Sequence, residues 1–137
     1  MRALRVALTG LALLAPFSFA FAETSATCPA GLKAVSVAEL LLGRHNVTEA
    51  KWARFLEHEI TPRFPDGLTV YDARGQWRDG ATGRIARERS KIVMIVLPGQ
   101  PTDRERLDEV ARAYIKQFGQ KSVGLVLRSS CAAFIEP

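Results

Sequence analysis

The chain is poor in the residues that usually carry chemistry. It has two histidines and two cysteines in 137 residues. His45 sits in a turn and His58 on the polar side of a helical stretch, without the helical His pair or Cys-x-x-Cys spacing that a metal centre needs. There is no Walker loop, no GxGxxG and no GxSxG, so nucleotide-cradling loops and nucleophile elbows lack their signatures. Ser90 and Ser122 have no flanking pattern that marks a nucleophile. No cofactor is implied. The sequence also lacks an internal repeat and a low-complexity run.

Long apolar runs are confined to the start, MRALRVALTGLALLAPFSFAFA. Arg2 and Arg5 give a basic beginning, an apolar core runs from Val6 to Ala20, and Ala20-Phe21-Ala22 is a small-x-small cleavage site. This is the pattern of a secretory signal peptide over residues 1–22, cleaved after Ala22. The apolar core is shorter than the ~20 residues of a spanning helix, and Pro16 interrupts it. No membrane span is expected after cleavage. Ser25-Ala26-Thr27 ahead of Cys28 is too polar for the usual lipoprotein signal. Cleavage removes two arginines and no acid, lowering the formal net charge from +5 to +3. A balance that mild does not argue for nucleic acid as a partner. The protein is expected in the periplasm or secreted, with residues 23–33 as an N-terminal segment and 34–137 as one domain.

In an oxidising compartment, the two cysteines left after cleavage, Cys28 and Cys131, are most simply one disulfide.

Periodicity gives the element order. Ala34–Leu42 alternates and then turns apolar, as a strand does. Thr48 is an N-cap, Val47 and Trp52 are placed for a hydrophobic staple, and Trp52, Phe55, Leu56 and Ile60 recur at helical spacing. Pro62 should end that helix and bias Thr61 away from helical geometry. Pro65-Asp66-Gly67 is a turn, and Leu68–Tyr71 opens a second strand in which Gly75 suggests a bulge or local turn. Asp79–Gly83 is another turn. Lys91–Leu97 is the strongest strand. Thr102 with Glu105 reads as a capping box before a helical stripe of Leu107, Val110, Ala111, Tyr114, Ile115 and Phe118, which Gly119 closes. Ser122–Arg128 is the last strand.

The order β-α-β-β-α-β predicts an α+β, ferredoxin-like sandwich: an antiparallel sheet with two helices on one face. Its first and last strands are antiparallel neighbours, so Cys28 and Cys131 fall at the same end. Fold and compartment thus point independently to the same bond. Ile92–Leu97 is apolar at every position, so both sheet faces want burial. A homodimer through the open sheet face is the simplest cover, and a folded-back C-terminal tail is the alternative.

The stretch TPRFPDGLTVYDARGQWRD (61–79) holds the candidate ligand-binding residues Arg63, Asp72, Arg74, Trp77 and Arg78. Asp72 shares a strand face with Leu68 and Val70, where an acid must pair or reach water. Arg63, Arg74, Arg78, Arg87 and Lys91 are its potential partners, with Arg74 or Arg63 favoured. Trp77 reads first as core edge. RIARERSK (84–91) reads as a solvated hairpin arm rather than an anion site. Glu57 and Glu59 point to different helix sides and are not an acid/base pair. No catalytic residue emerges.

At TPRFPDGLTVYDARGQWRD and at RERSKIVMIVLP the sequence resembles a bacterial exported family, domain-of-unknown-function family 3574. The turn PRFPDG, GQWR and the SK before the apolar strand carry the likeness, which spans about Glu39 to Cys131. It implies a small α+β domain behind an export or lipoprotein signal, and it brings no activity and no catalytic residue.

Two functions remain open. One is a non-catalytic exported binding or assembly domain with an exported protein partner. The other is a small enzyme or small-ligand-binding protein of the dimeric α+β-barrel kind, with a pocket near Asp72, Arg74 and Trp77. A deep pocket there favours the second.

Overall fold

Lys33–Gly43 forms the first strand, β1, and alternation along it decides which way the sheet faces. Ala38, Leu40 and Leu42 are fully buried, whereas Leu41 between them is 40 % exposed. The chain is described here by a computed structural model covering residues 27–137. The signal segment and its cleavage after Ala22 lie outside the described residues.

After β1 come a short helix α1 (Glu49–Phe55), a π-helical turn (Leu56–Ile60) and a 3-10 turn (Thr61–Arg63). Strands β2 (Thr69–Arg78) and β3 (Ile85–Leu97), helix α2 (Asp103–Phe118) and strand β4 (Gly124–Ala132) follow. The strands lie in the order β2-β3-β1-β4, every pair antiparallel. This is the α+β, ferredoxin-like arrangement that the element order predicts.

The helices cover the face that carries Leu40 and Leu42 from β1 and Val93, Ile95 and Leu97 from β3. Each of these strands buries alternate residues, as a period of two requires. The helix layer brings Trp52, Phe55, Leu107, Val110 and Tyr114 to this core. Phe55 and Tyr114 meet edge to face at 5.0 Å, and Tyr114 meets Phe118 at 4.8 Å, the geometry that ring quadrupoles favour. The Tyr114 hydroxyl donates to the Gly43 carbonyl at 2.8 Å, tying α2 to the end of β1.

The caps follow the sequence in part. Thr48 Oγ1 accepts from the Lys51 amide, and Val47 and Trp52 are both buried beside that cap. Gly119 adopts φ 62° at the end of α2. Thr102 is not a side-chain cap. Asp103 instead accepts from the backbone amides of Gly99 and Gln100 at 3.1 and 2.8 Å, because the turn after Gly99 folds those donors onto it. Pro62 does not stop the helical path at Thr61, which keeps φ −55° and ψ −42°. The π turn before it accounts for this. Thr61 donates back to the Leu56 carbonyl, and the widened turn relieves the clash that a proline ring makes with an α-helical carbonyl.

Strand lengths depart most from expectation. β2 runs through Gly75 without a bulge, since the register continues unbroken from Thr69↔Met94 to Arg78↔Ile85. β3 begins at Ile85 rather than Lys91 because residues 85–90 pair in unbroken register with Ala73–Arg78 of β2. The two strands thus form an arm that runs past the end of β1, whose last pair is Gly43↔Ser90. Asp79 closes the arm by accepting from the Ala81 and Thr82 amides. These bonds, the Thr82 amide and hydroxyl foremost, hold its carboxyl below the ordinary value.

β4 continues to Ala132, so Cys131 lies within the last strand, opposite Ala34, rather than after it. Cys28 and Cys131 are joined as a disulfide. The bond closes a sequence separation of 103, for which chain entropy gives about 4–5 kcal/mol before any strain. Replacing both cysteines with alanine should therefore lower the urea midpoint substantially. Denatured but unreduced wild type should label at no thiol. An unchanged midpoint, or two labelled thiols, contradicts the pairing.

Candidate functional site

Lys91 is the last polar residue of β3 before its apolar run, and the alternation that buries Val93 points it to the same helix-covered face. Its side chain is 6 % exposed. A buried ammonium needs partners, because desolvation of an unpaired charge is costly. Two are present. Asp72, directly across on β2, accepts at 2.6 Å, and Glu49 at the start of α1 accepts at 2.9 Å. The ring of Trp52 lies 5.8 Å from Nζ, within cation–π range.

Arg44 extends the cluster. It follows β1 and is also buried, with its Nη1 2.6 Å from Glu49 Oε2 and Nη2 donating to the Val47 carbonyl at 3.0 Å. Among the described residues its buried Nε–H has no acceptor. Burial alone would lower the Lys91 pKa, but hydrogen bonds to Asp72 and Glu49, with their charges, outweigh it and raise it. The Lys91 hydrogen bond, foremost, holds both carboxyls below their ordinary values. Both acids are therefore ionised acceptors at neutral pH, not proton donors.

A cleft of about 450 Å³ opens above this cluster, lined by Arg44, Glu49, Asp72, Ala73, Arg74 and Arg89. Arg74 and Arg89 stand directly opposite each other on β2 and β3, on the same face as Asp72 and Lys91. A wider cleft of about 900 Å³ lies at the far end of the sheet, where Met94 and Val96 meet Phe134 of the C-terminal segment.

The residues singled out in the sequence are only partly gathered. Asp72 and Arg74 share the cleft. The partner of Asp72 is Lys91, not Arg74 or Arg63, because cross-strand register places the lysine opposite it. The acid itself is exposed at its surface end; the buried charge is the lysine. Arg63 binds Glu59 at 3.0 Å and Glu109 at 3.1 Å, joining the first helical segment to α2. Arg78 donates to the Gly83 carbonyl at 3.2 Å and braces the arm's turn. Trp77 faces the opposite side of the sheet, 44 % exposed, with Lys121 Nζ 5.9 Å from its ring. It is therefore neither core edge nor part of the cleft. Sequence reasoning missed Arg44, Glu49 and Arg89. The charge run 84–91 was a signal for Arg89, but only the register with β2 sets it against Arg74.

The family model for proteins of unknown function DUF3574 matches residues 38–134. The chain belongs to that family. No curated protein matches it. Among solved structures, a phage SAM lyase in complex with S-methyl-5'-thioadenosine is 14% identical, with TM-score 0.54 over 73% of this chain and 90% of that one. CutA from Synechococcus elongatus, complexed with a Bis-Tris molecule, is also 14% identical, with TM-score 0.50 over 74% and 87%. At such identities the likeness shows a shared fold and no more. Among the described residues no helix is long and apolar enough to cross a membrane.

The cluster's electrostatics have a definite sign. Depressed carboxyls stabilise the fold fully above their unfolded pKa near 4, and this is lost as pH falls through the lower folded values. The raised lysine contributes fully below its unfolded pKa near 10.4 and loses that as pH rises through the higher folded value. Lys91→Met should stay within about 1 kcal/mol of wild type at neutral pH, since it replaces a buried charge by an apolar side chain, returns Asp72 to water and leaves Glu49 to Arg44. Asp72→Asn alone should cost little, because Glu49 still holds the ammonium. Combined with Glu49→Gln it should cost more than the two single changes together. Urea titration of the four variants checks this, and strict additivity contradicts the shared-lysine account.

Proposed function

We propose that this protein is an exported, non-catalytic binding and assembly domain that pairs with a second copy of itself through the outer face of its sheet. The observation that carries this is the bareness of that face. Val37, Leu41, Tyr71, Ile92, Met94 and Val126 share it by register. Leu41, Tyr71 and Val126 are 40, 46 and 38 % exposed. The helices lie on the other side. The charges Glu39 and Arg128 on this face neutralise each other at 2.8 Å, so they raise no net repulsion between copies.

The area suits a second copy. Four strands spaced by about 4.8 Å and roughly nine or ten residues long present on the order of 600 Å². A standard interface takes about 800 Å² from each partner. Phe134 and Ile135, 78 and 95 % exposed, extend the apolar surface past Met94 and Val96. A face of this size stands at the upper end of what single molecules expose, where such patches are often functional.

The disulfide supports an oxidising, exported setting. A non-catalytic role is supported by the occupation of Asp72 and Glu49, which Lys91 and Arg44 hold as acceptors. Small-ligand binding in the cleft is the second reading, now without Trp77.

Sedimentation at micromolar concentration should give a dimer, and Ile92→Glu should give a folded monomer, because it places a charge at the centre of the joined faces. A wild type that stays monomeric at 100-fold higher concentration contradicts the pairing.

A further inference from the structure

Cross-strand neighbours of like charge are normally destabilising, yet Arg74 and Arg89 face each other directly across β2 and β3. Among the described residues neither makes a side-chain hydrogen bond or an ion pair. The acids that could have relieved them are already committed. Asp72, two residues before Arg74 on the same strand face, is held by Lys91, and Glu49 is shared between Lys91 and Arg44. The cleft and its floor thus set four cations, Arg44, Arg74, Arg89 and Lys91, against two carboxylates. The excess is two positive charges. The floor is also short of acceptors, since Arg44 Nε–H is buried with none among the described residues.

We propose that this cleft is a binding site for a small dianion of the phosphate class, gripped between the guanidinium groups of Arg74 and Arg89. Two features select that chemistry. Guanidinium presents a planar fork of donors that matches phosphate oxygens pairwise. Opposite residues on antiparallel strands have Cα atoms about 5 Å apart, so one tetrahedral group can engage both forks, and its two charges cancel the local excess. A single carboxylate would leave half of that excess. The volume of about 450 Å³ falls in the range of small-ligand pockets, so the group can be free phosphate or the end of a small phosphomonoester. Trp52 forms part of the floor, its ring 5.8 Å from Lys91 Nζ. Lys91 itself serves to hold Asp72 and Glu49 away from the two free arginines.

The site is on the helix-covered side of the sheet and does not depend on sheet-face pairing, so Ile92→Glu separates the two ideas. The test is calorimetric titration of the mature protein with inorganic phosphate and, separately, with glycerol 3-phosphate. It is run at pH 8 and constant ionic strength, with chloride as the control salt. Saturable binding of at least one probe is expected, weakened at least tenfold in Arg74→Gln/Arg89→Gln. The same variant without phosphate should melt at or above the wild-type temperature in low salt, because the repulsion is gone; this shows that any lost binding is not lost folding. Tighter binding of glycerol 3-phosphate supports an organic phosphomonoester as ligand, and equal binding supports recognition of the phosphate group alone. No saturable binding of either probe overturns the proposal. So does binding that the double variant retains, or a double variant that melts well below wild type.

Discussion

A strand has two faces, and the helices α1 and α2 lie on only one side of this sheet. Most of the architecture answers to that constraint. β1 and β3 are the central strands; β3 is apolar on both faces from Ile92 to Leu97, and β1 is apolar on its helix-facing side, with Glu39 interrupting its outer face. On the helix side the answer is a packed core, with Tyr114 at its centre bonding to the carbonyl of Gly43 while its ring meets Phe55 and Phe118. Burial pushes its phenol up to about 12, so it stays a neutral donor at neutral pH. On the other side no helix supplies a second layer among the described residues, and Leu41, Tyr71, Ile92, Met94 and Val126 lie there around the Glu39–Arg128 pair.

Where the central strands run out, polarity takes over. β1 stops at Gly43, and β2 and β3 carry on as a two-stranded arm. Lys91 stands at that boundary, the one cation of β3 inside the packed layer. Its position converts a hydrophobic boundary into an electrostatic one. Acids converge on it from β2 and α1, and the arginines beyond it are left facing one another. Gly43 serves the same boundary on the outer face. A Cβ there would meet Glu88 Oε1 at 2.6 Å, and its absence lets Glu88 reach over to accept the His45 amide at 3.1 Å.

Element order, the helix-facing stripe of α2 and the cysteine pair were legible because each rests on local period or on topology. What sequence could not supply was register. Asp72 stood out as an acid on an apolar face, but its partner depends on which β3 residue lies opposite, and a shift of two positions would have offered Arg89 or Val93. The same ignorance hid the Arg74–Arg89 pair inside what looked like a solvated arm. Gly75 suggested a bulge because glycine is weak in strands. It is an ordinary paired position, directly opposite Glu88. Thr102 had the right residue and spacing for a cap. Its side chain caps nothing; the turn at Pro98-Gly99 instead aims the amides of Gly99 and Gln100 at the neighbouring Asp103, a tertiary detail no spacing rule contains. Trp77 was misplaced for the simplest reason: without the end of β1 in view, an arm strand and a core strand look alike.

The bond between Cys28 and Cys131 ties the segment before the first strand to the last strand of the sheet. For a chain threaded through a membrane from its N-terminus, the first thiol waits in the receiving compartment while every helix and the other three strands emerge. Only when β4 has arrived and docked beside β1 are the sulfurs neighbours. With two cysteines the chain has one intramolecular way to oxidise, so no shuffling among wrong pairs delays it. Oxidation is then the closing act of maturation, a covalent latch set after the sheet is complete, and it leaves the order of strand docking to be decided by packing alone.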